Sequence, residues 1–295
     1  MTNTSKTILF FGTEDFSLYS LRALVDAGFN VAAVITKPDT RRGRGEKLTK
    51  PAVKVFAEQH HIPVWQPAKL LDIIDDIKQF DNPAGVLVSY GKIIPQEIID
   101  LFNPGIINVH PSLLPIYRGP SPIESAIINR DNKTGVTIMR LSKAMDAGPI
   151  YAQVPYALDQ SETKPELYET LGTLGANFLV SKLPAILDGS LQPQPQDDAA
   201  ATYCKLLSKQ DSYLEPTQTT PGAAEARIRA HLGFPRTRLQ LGEHDVIVTK
   251  AHGVMTKKTP LDVECQNGAY LSIDELIAPS GRTMTGEEFL RGYTI

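Results

Sequence analysis

Lys6-Thr7-Ile8-Leu9-Phe10-Phe11-Gly12 is a short apolar run ending in glycine, the pattern of a parallel strand buried on both faces. Phe16, Leu18, Leu21, Leu24 and Val25 then recur at helical spacing up to Gly28, a residue suited to stopping a helix. Val31-Ala32-Ala33-Val34-Ile35-Thr36 reads as the next strand. Strand, helix, strand over so short a span is a βαβ unit, right-handed almost by rule. The alternation continues. Ile62-Pro63-Val64-Trp65, the run from Ala84 to Gly91, and Gly105-Ile106-Ile107 read as strands, with helices expected over 51–58, 68–80 and 95–100. The prediction is an α/β fold with a doubly wound, mostly parallel, Rossmann-like sheet. The turn after the first strand, Gly12-Thr13-Glu14-Asp15, lacks the GxGxxG fingerprint, so no NAD is expected.

Working outward, a helix after Gly119 and strands at 135–140 and 150–154 follow, the two strands joined by the loop that carries Asp146. A long helix is marked by Leu167, Leu171, Leu174, Phe178 and Leu179. These elements make an N-terminal domain expected over 1–189. Residues 190–204 include Gln192-Pro193-Gln194-Pro195-Gln196 and show no apolar periodicity, the composition of a semi-extended linker. Beyond it, a helix at 222–232 and short strands separated by turn residues predict a small antiparallel β domain or barrel over 205–295.

The totals set bounds. A chain of 295 residues with 42% apolar and 21% charged residues suits roughly two globular domains. Net charge of −3 excludes a globally basic nucleic-acid binder, so any such partner must meet a local patch. The beginning, Met1-Thr2-Asn3-Thr4-Ser5-Lys6, has no signal-peptide core, and no run approaches membrane-spanning length; no membrane partner is expected. Two cysteines, Cys204 and Cys265, lie far apart without metal-ligand spacing, so no metal is expected and a reducing cytoplasm fits. A monomer is expected.

Asn108 and His110 close the strand that starts at Gly105, and as residues i and i+2 they share one face. They therefore look into the space at a strand end, where open α/β sheets place ligands. Ser112-Leu113-Leu114-Pro115 continues as a stiff, irregular loop. An amide donates hydrogen bonds without needing protonation, which suits an oxygen that becomes negative in acyl transfer. Imidazole moves protons near neutrality. Asp146, folded against His110, would orient it. Ser112 lacks a Gly-x-Ser-x-Gly elbow, so direct transfer is favoured over a covalent intermediate. Spacing alone leaves open a plainer reading of a capped strand end and a turn aspartate. The stretch Lys37–Lys50 carries six basic and two acidic residues around Gly43-Arg44-Gly45, which reads either as a solvated loop or as an arm for phosphates.

Asn108-Val109-His110, Ser112 to Pro115, Tyr117-Arg118-Gly119, Thr134 to Met139 and Met145-Asp146-Ala147-Gly148-Pro149 together resemble the signature of folate-dependent formyltransferases. Phe11-Gly12-Thr13, Lys37-Pro38-Asp39, Gly43-Arg44-Gly45, Lys47-Leu48, Ser89-Tyr90-Gly91, Tyr203 and Leu207-Ser208-Lys209 narrow the resemblance to the branch that acts on methionyl-tRNA. The resemblance implies 10-formyltetrahydrofolate as donor and the methionine amine of initiator methionyl-tRNA as acceptor. It also implies Asn108, His110 and Asp146 as the catalytic trio. Ser112, Leu113, Leu114 and Pro115 with Ser89, Tyr90 and Gly91 would line the folate site. Arg41, Arg42, Arg44, Lys47 and Lys209 would meet tRNA, and the C-terminal domain would be an OB-like barrel. Ile116 departs from the basic residue usual at its place in the family. The rival within formyl transfer is an enzyme acting on a nucleotide-linked amino sugar; the rival outside it is a catalytically silent RNA-binding protein.

Overall fold

The computed structural model describes residues 6–42 and 47–295, with Arg42 and Lys47 described by their backbone alone. In chain order the elements are β1 (Ile8–Gly12), α1 (Phe16–Asp26), β2 (Val31–Ile35), β3 (Thr40–Arg42), β4 (Lys47–Thr49), α2 (Ala52–Gln59), β5 (Val64–Trp65), α3 (Ile74–Ile77), β6 (Ala84–Val88), α4 (Gln96–Ile99) and β7 (Ile106–His110). There follow α5 (Pro122–Ile128), β8 (Lys133–Arg140), β9 (Ile150–Ala157), α6 (Lys164–Leu187), α7 (Pro221–His231), β10 (Thr237–Leu241), β11 (His244–Val254), β12 (Asp262–Glu264), β13 (Tyr270–Ile277), β14 (Thr283–Thr285) and α8 (Gly286–Gly292). The chain divides into two compact units: 1–120, 135–156 and 168–203 form one; 121–134, 157–167 and 204–295 form the other.

The first unit is built on a sheet of order β5-β2-β1-β6-β7-β8-β9. The strands from β5 to β7 run parallel, and β8 lies antiparallel to β7. β1 is flanked by β2 on one side and β6 on the other, so the order reverses between β1 and β6. At such a switch point the loops leaving neighbouring strands diverge and open a crevice beyond the carboxyl ends. The alternation read from the sequence is therefore present, and burial on both faces explains its unbroken apolar strands: every residue of β1 and of β7 is buried. One face packs Leu9, Phe11, Ile35, Ile77, Ile98, Phe102 and Ile106 into a single cluster.

Two expectations are corrected. The helix expected over 68–80 is a 3-10 turn, Leu70–Ile73, followed by the single turn of α3. Asp72, Asp75 and Asp76 fall in it, and aspartate side chains compete with helical hydrogen bonding; Asp72 accepts the backbone N–H of Lys69. The second concerns membrane-spanning length. Helix α6 has 24 residues and a mean hydropathy of 1.2, enough by length and composition. Its apolarity has another use: Leu171, Leu179, Leu183 and Ile186 are buried, and Gly175 lies close against Val109 of β7 and Val136 of β8.

The second unit carries an antiparallel sheet of order β10-β11-β13-β12, with β14 paired to β13. Leu239, Val246, Val248, Leu271, Ile273 and Leu276 form its core with Ile228 of α7 and Phe289 of α8. Strand residues alternate between buried and more exposed, as a sheet covered on one face requires.

Candidate functional site

Strand β7 positions the site. Leu87 of β6 pairs with Asn108, while Met139 and Thr137 of β8 pair with Asn108 and His110. The amide and the imidazole are thus held between two neighbouring strands, each only 5% exposed. Burial at a strand end makes them rigid, and the loop returning from β8 brings the third member to them.

Asp146 sits in that loop at φ +48°, a left-handed conformation rare for a residue with a side chain. Its Oδ1 lies 3.5 Å from Asn108 Nδ2 and its Oδ2 lies 3.8 Å from His110 Nδ1. The backbone N–H of Gly119 donates to Oδ2 at 2.8 Å. The three side chains named from the sequence do converge. The contacts to Asn108 and His110 are long for hydrogen bonds.

The ring of His110 is oriented by a partner that sequence reading did not find. Its Nε2 lies 2.9 Å from the carbonyl oxygen of Tyr117. A carbonyl only accepts, so Nε2 carries a hydrogen and Nδ1, facing Asp146, is the nitrogen left to exchange a proton. Tyr117 reaches this position at φ +59°. No sequence pattern signals the use of a main-chain carbonyl.

The loop behind the trio is fixed by its own bonds. Ser112 Oγ donates to Ile116 O at 2.6 Å and is fully buried, so the hydroxyl closes a turn and is not placed as a nucleophile. Thr137 Oγ1 donates to Ser112 O and accepts the Leu114 N–H, while Gln153 Nε2 donates to Leu114 O. Leu114 is buried, and Leu113 and Pro115 are partly exposed. Ile116 is 36% exposed and makes this wall apolar.

On the other side of the switch point, Ser89 takes φ +45° and Gly91 φ +69°. Ser89 O accepts the N–H groups of Thr13 and Glu14, each at 3.2 Å, tying the β6 loop to the β1 loop. Tyr90 does not offer its ring to this edge. It is 1% exposed and stands edge-on to Phe11 in the core, and burial pushes its phenol up to about 12.

Among the expected tRNA contacts, Arg41 is exposed in β3, whose backbone pairs with β4. Arg42 and Lys47 pair there by backbone, and Arg44 lies outside the described residues. The base of this hairpin is anchored: Lys54 Nζ binds Asp39 Oδ1 at 2.9 Å and Gln66 Oε1 at 2.7 Å, and Gln66 Nε2 donates to Lys37 O at 2.8 Å. Gln66 Nε2 also donates to Asp39 Oδ1 at 2.8 Å, and this bond, followed by that from Lys54, holds the Asp39 carboxyl below the usual carboxylate range. Lys209 is exposed in the second unit. Among the described residues no cluster of His, Cys, Asp and Glu is placed to hold a metal ion.

The stretch expected as a linker is bonded to the first unit as far as Tyr203. Gln194 and Ile150 exchange backbone hydrogen bonds, and Thr202 O accepts the Arg118 N–H at 2.9 Å. Gln196 and Asp198 receive the Arg118 side chain. The composition of the stretch conceals this, because its ordering comes from backbone hydrogen bonds and polar side chains rather than apolar periodicity.

The family model described as "Formyl transferase" matches residues 6–183. The methionyl-tRNA formyltransferase of Halorhodospira halophila is 37% identical over 297 residues, covering 97% of this chain and 96% of that one. The chain belongs to the methionyl-tRNA formyltransferase family. A second member, from a Sulfurihydrogenibium species, is 34% identical and covers 98% and 97% of the two chains. The fold of the family also matches solved structures at low identity. WlaRD, a sugar 3N-formyl transferase solved with dTDP and 5-N-formyl-THF, aligns with a TM-score of 0.68 at 18% identity, covering 90% of this chain and 96% of that one. HypX from Aquifex aeolicus, solved with tetrahydrofolic acid, aligns at 0.67 with 16% identity, covering 97% and 47%.

Proposed function

We propose that the protein transfers the formyl group of 10-formyltetrahydrofolate to the free amine of methionine on initiator methionyl-tRNA. The product is N-formylmethionyl-tRNA, used in cytoplasmic translation initiation. The observation that carries this reading is the convergence of Asn108, His110 and Asp146 at the end of β7 beside a serine whose hydroxyl is already committed. Near full-length relatives named as methionyl-tRNA formyltransferases support the acceptor.

The residues present suit a folate. A pterin needs backbone donors and acceptors along one edge and apolar groups on its faces. The turn at Ser89–Gly91 offers main-chain groups, and Leu113, Pro115 and Ile116 offer an apolar wall. Folate supplies the formyl carbon. As the amine adds to that carbon, its oxygen gains negative charge, and Asn108 and protonated His110 donate hydrogen bonds to it. Asp146 stabilises the imidazolium and supports movement of the amine's proton to the departing folate nitrogen. The basic stretch 37–50 and Lys209 would meet tRNA phosphates, and the second domain, if OB-like, would suit a nucleic-acid partner.

The test is incubation of the protein with 10-formyltetrahydrofolate and, separately, methionyl initiator tRNA, an amino sugar linked to a nucleotide, or water alone. Formylated methionyl-tRNA is expected. Transfer to the sugar and not to tRNA, or formate release alone, overturns the assignment.

A further inference from the structure

We propose that Gln196 is a positioning residue for formyl transfer, holding the Asp146 turn in its catalytic geometry through the buried guanidinium of Arg118. The inference rests on the function proposed above. Gln196 Nε2 donates to the carbonyl oxygens of Asp146 and Gly148, both at 2.7 Å. Its Oε1 accepts from Arg118 Nε at 3.1 Å and from Nη2 at 2.8 Å. The amide's hydrogen-bonding capacity is then full, with two N–H groups given and two lone pairs occupied.

Its orientation is forced. Arginine only donates, so the amide oxygen must face Arg118 and the amide nitrogen must face the two carbonyls. Arg118 cannot drift, because it is 2% exposed and also binds Asp198 Oδ1 at 2.6 Å and the Tyr203 hydroxyl at 3.3 Å. Asp146 needs such support: its left-handed backbone conformation persists only where the surroundings over-determine it. Gly119, next to Arg118, holds the carboxylate, and Gln196 holds the carbonyl of the same residue. Both ends of Asp146 are thereby referred to the Arg118–Gly119 segment, the same loop whose Tyr117 carbonyl orients His110.

Gln196→Glu separates this role from a role in packing the linker. A carboxylate keeps the bonds to Arg118 but sets an acceptor against two carbonyl oxygens, so the turn must move while the linker stays attached. A displacement of ~1 Å near the chemistry costs up to ~10²-fold. The expected result in the formylation assay is a kcat lowered about ten- to hundredfold, with KM for tRNA and for folate little changed and the melting temperature near that of wild type. Gln196→Met, near in size and without donors, should lose kcat in the same way and serves if the glutamate variant does not fold. Unchanged kcat in either folded variant, or a loss carried by KM, overturns the proposal. Absence of formyl transfer by the wild type would instead reject the underlying function.

Discussion

Gly119 donates its backbone N–H to the Asp146 carboxylate at 2.8 Å from a backbone at φ +122°, a region that side chains rarely enter. The bond that fixes the Asp146 carboxylate thus depends on a residue with no Cβ. Gly119→Ala must either strain this peptide, at a cost of about 1–3 kcal/mol, or turn its N–H away from Asp146. A kcat lower by about tenfold or more is expected, with a lower melting temperature. A variant with wild-type kcat would show that Asp146 keeps its place without this bond.

Asn108 should tolerate neither truncation nor a carboxylate of the same shape. Removing a preorganised oxyanion donor costs ~10²–10³ in kcat, so Asn108→Ala is expected in that range with KM little altered. Asn108→Asp, of the same shape, should be no better, because a carboxylate repels the developing charge. Steady-state kinetics of both variants check this. Substantial activity in Asn108→Asp would remove Asn108 from the oxyanion site.

How much of this was legible before the fold was known differs by element. The β1–α1–β2 unit was readable because strands buried on both faces must be apolar throughout, and Asn108 with His110 was readable because strand periodicity is local. The helix over 68–80 was over-read, since its apolar spacing is real but its aspartates break the helical run. The contributions of Tyr117 and Gln196 were not legible. One acts through a main-chain carbonyl, and the other through an amide that meets its partners 48 to 78 positions away. Such contacts leave no periodicity in the sequence.

The basic hairpin supplies a prediction about salt. Arg41 is exposed and Arg44 belongs to the same basic run. Each Lys or Arg that neutralises a phosphate contributes about one unit to the slope of log affinity against log salt, somewhat less on single strands. Arg41→Ala and Arg44→Ala should therefore weaken use of methionyl-tRNA, lower that slope by about one each, and leave KM for folate unchanged. A slope equal to that of wild type would take the hairpin out of the tRNA interface.

His231 gives the second unit a pH dependence of its own. The ring is 2% exposed at the end of α7, and neither nitrogen has a hydrogen-bond partner. Burial, followed by the charge of Arg227, lowers its pKa from 6.5 to about 4, with Lys164 and Lys205 acting in the same direction and Asp211 against. Between those values the unfolded chain binds a proton that the folded chain refuses. Stability is therefore complete above the unfolded pKa and falls as pH drops from 6.5 towards about 4. The loss is of the order of 2 kcal/mol once solvent screening is allowed for. His231→Leu removes the titrating group along with two unpaired buried nitrogens, so it should be no less stable than wild type at pH 7 and lose less on acidification. Melting curves from pH 7 to pH 4 decide the matter: parallel curves for the two proteins would mean that His231 is already solvated in the folded state.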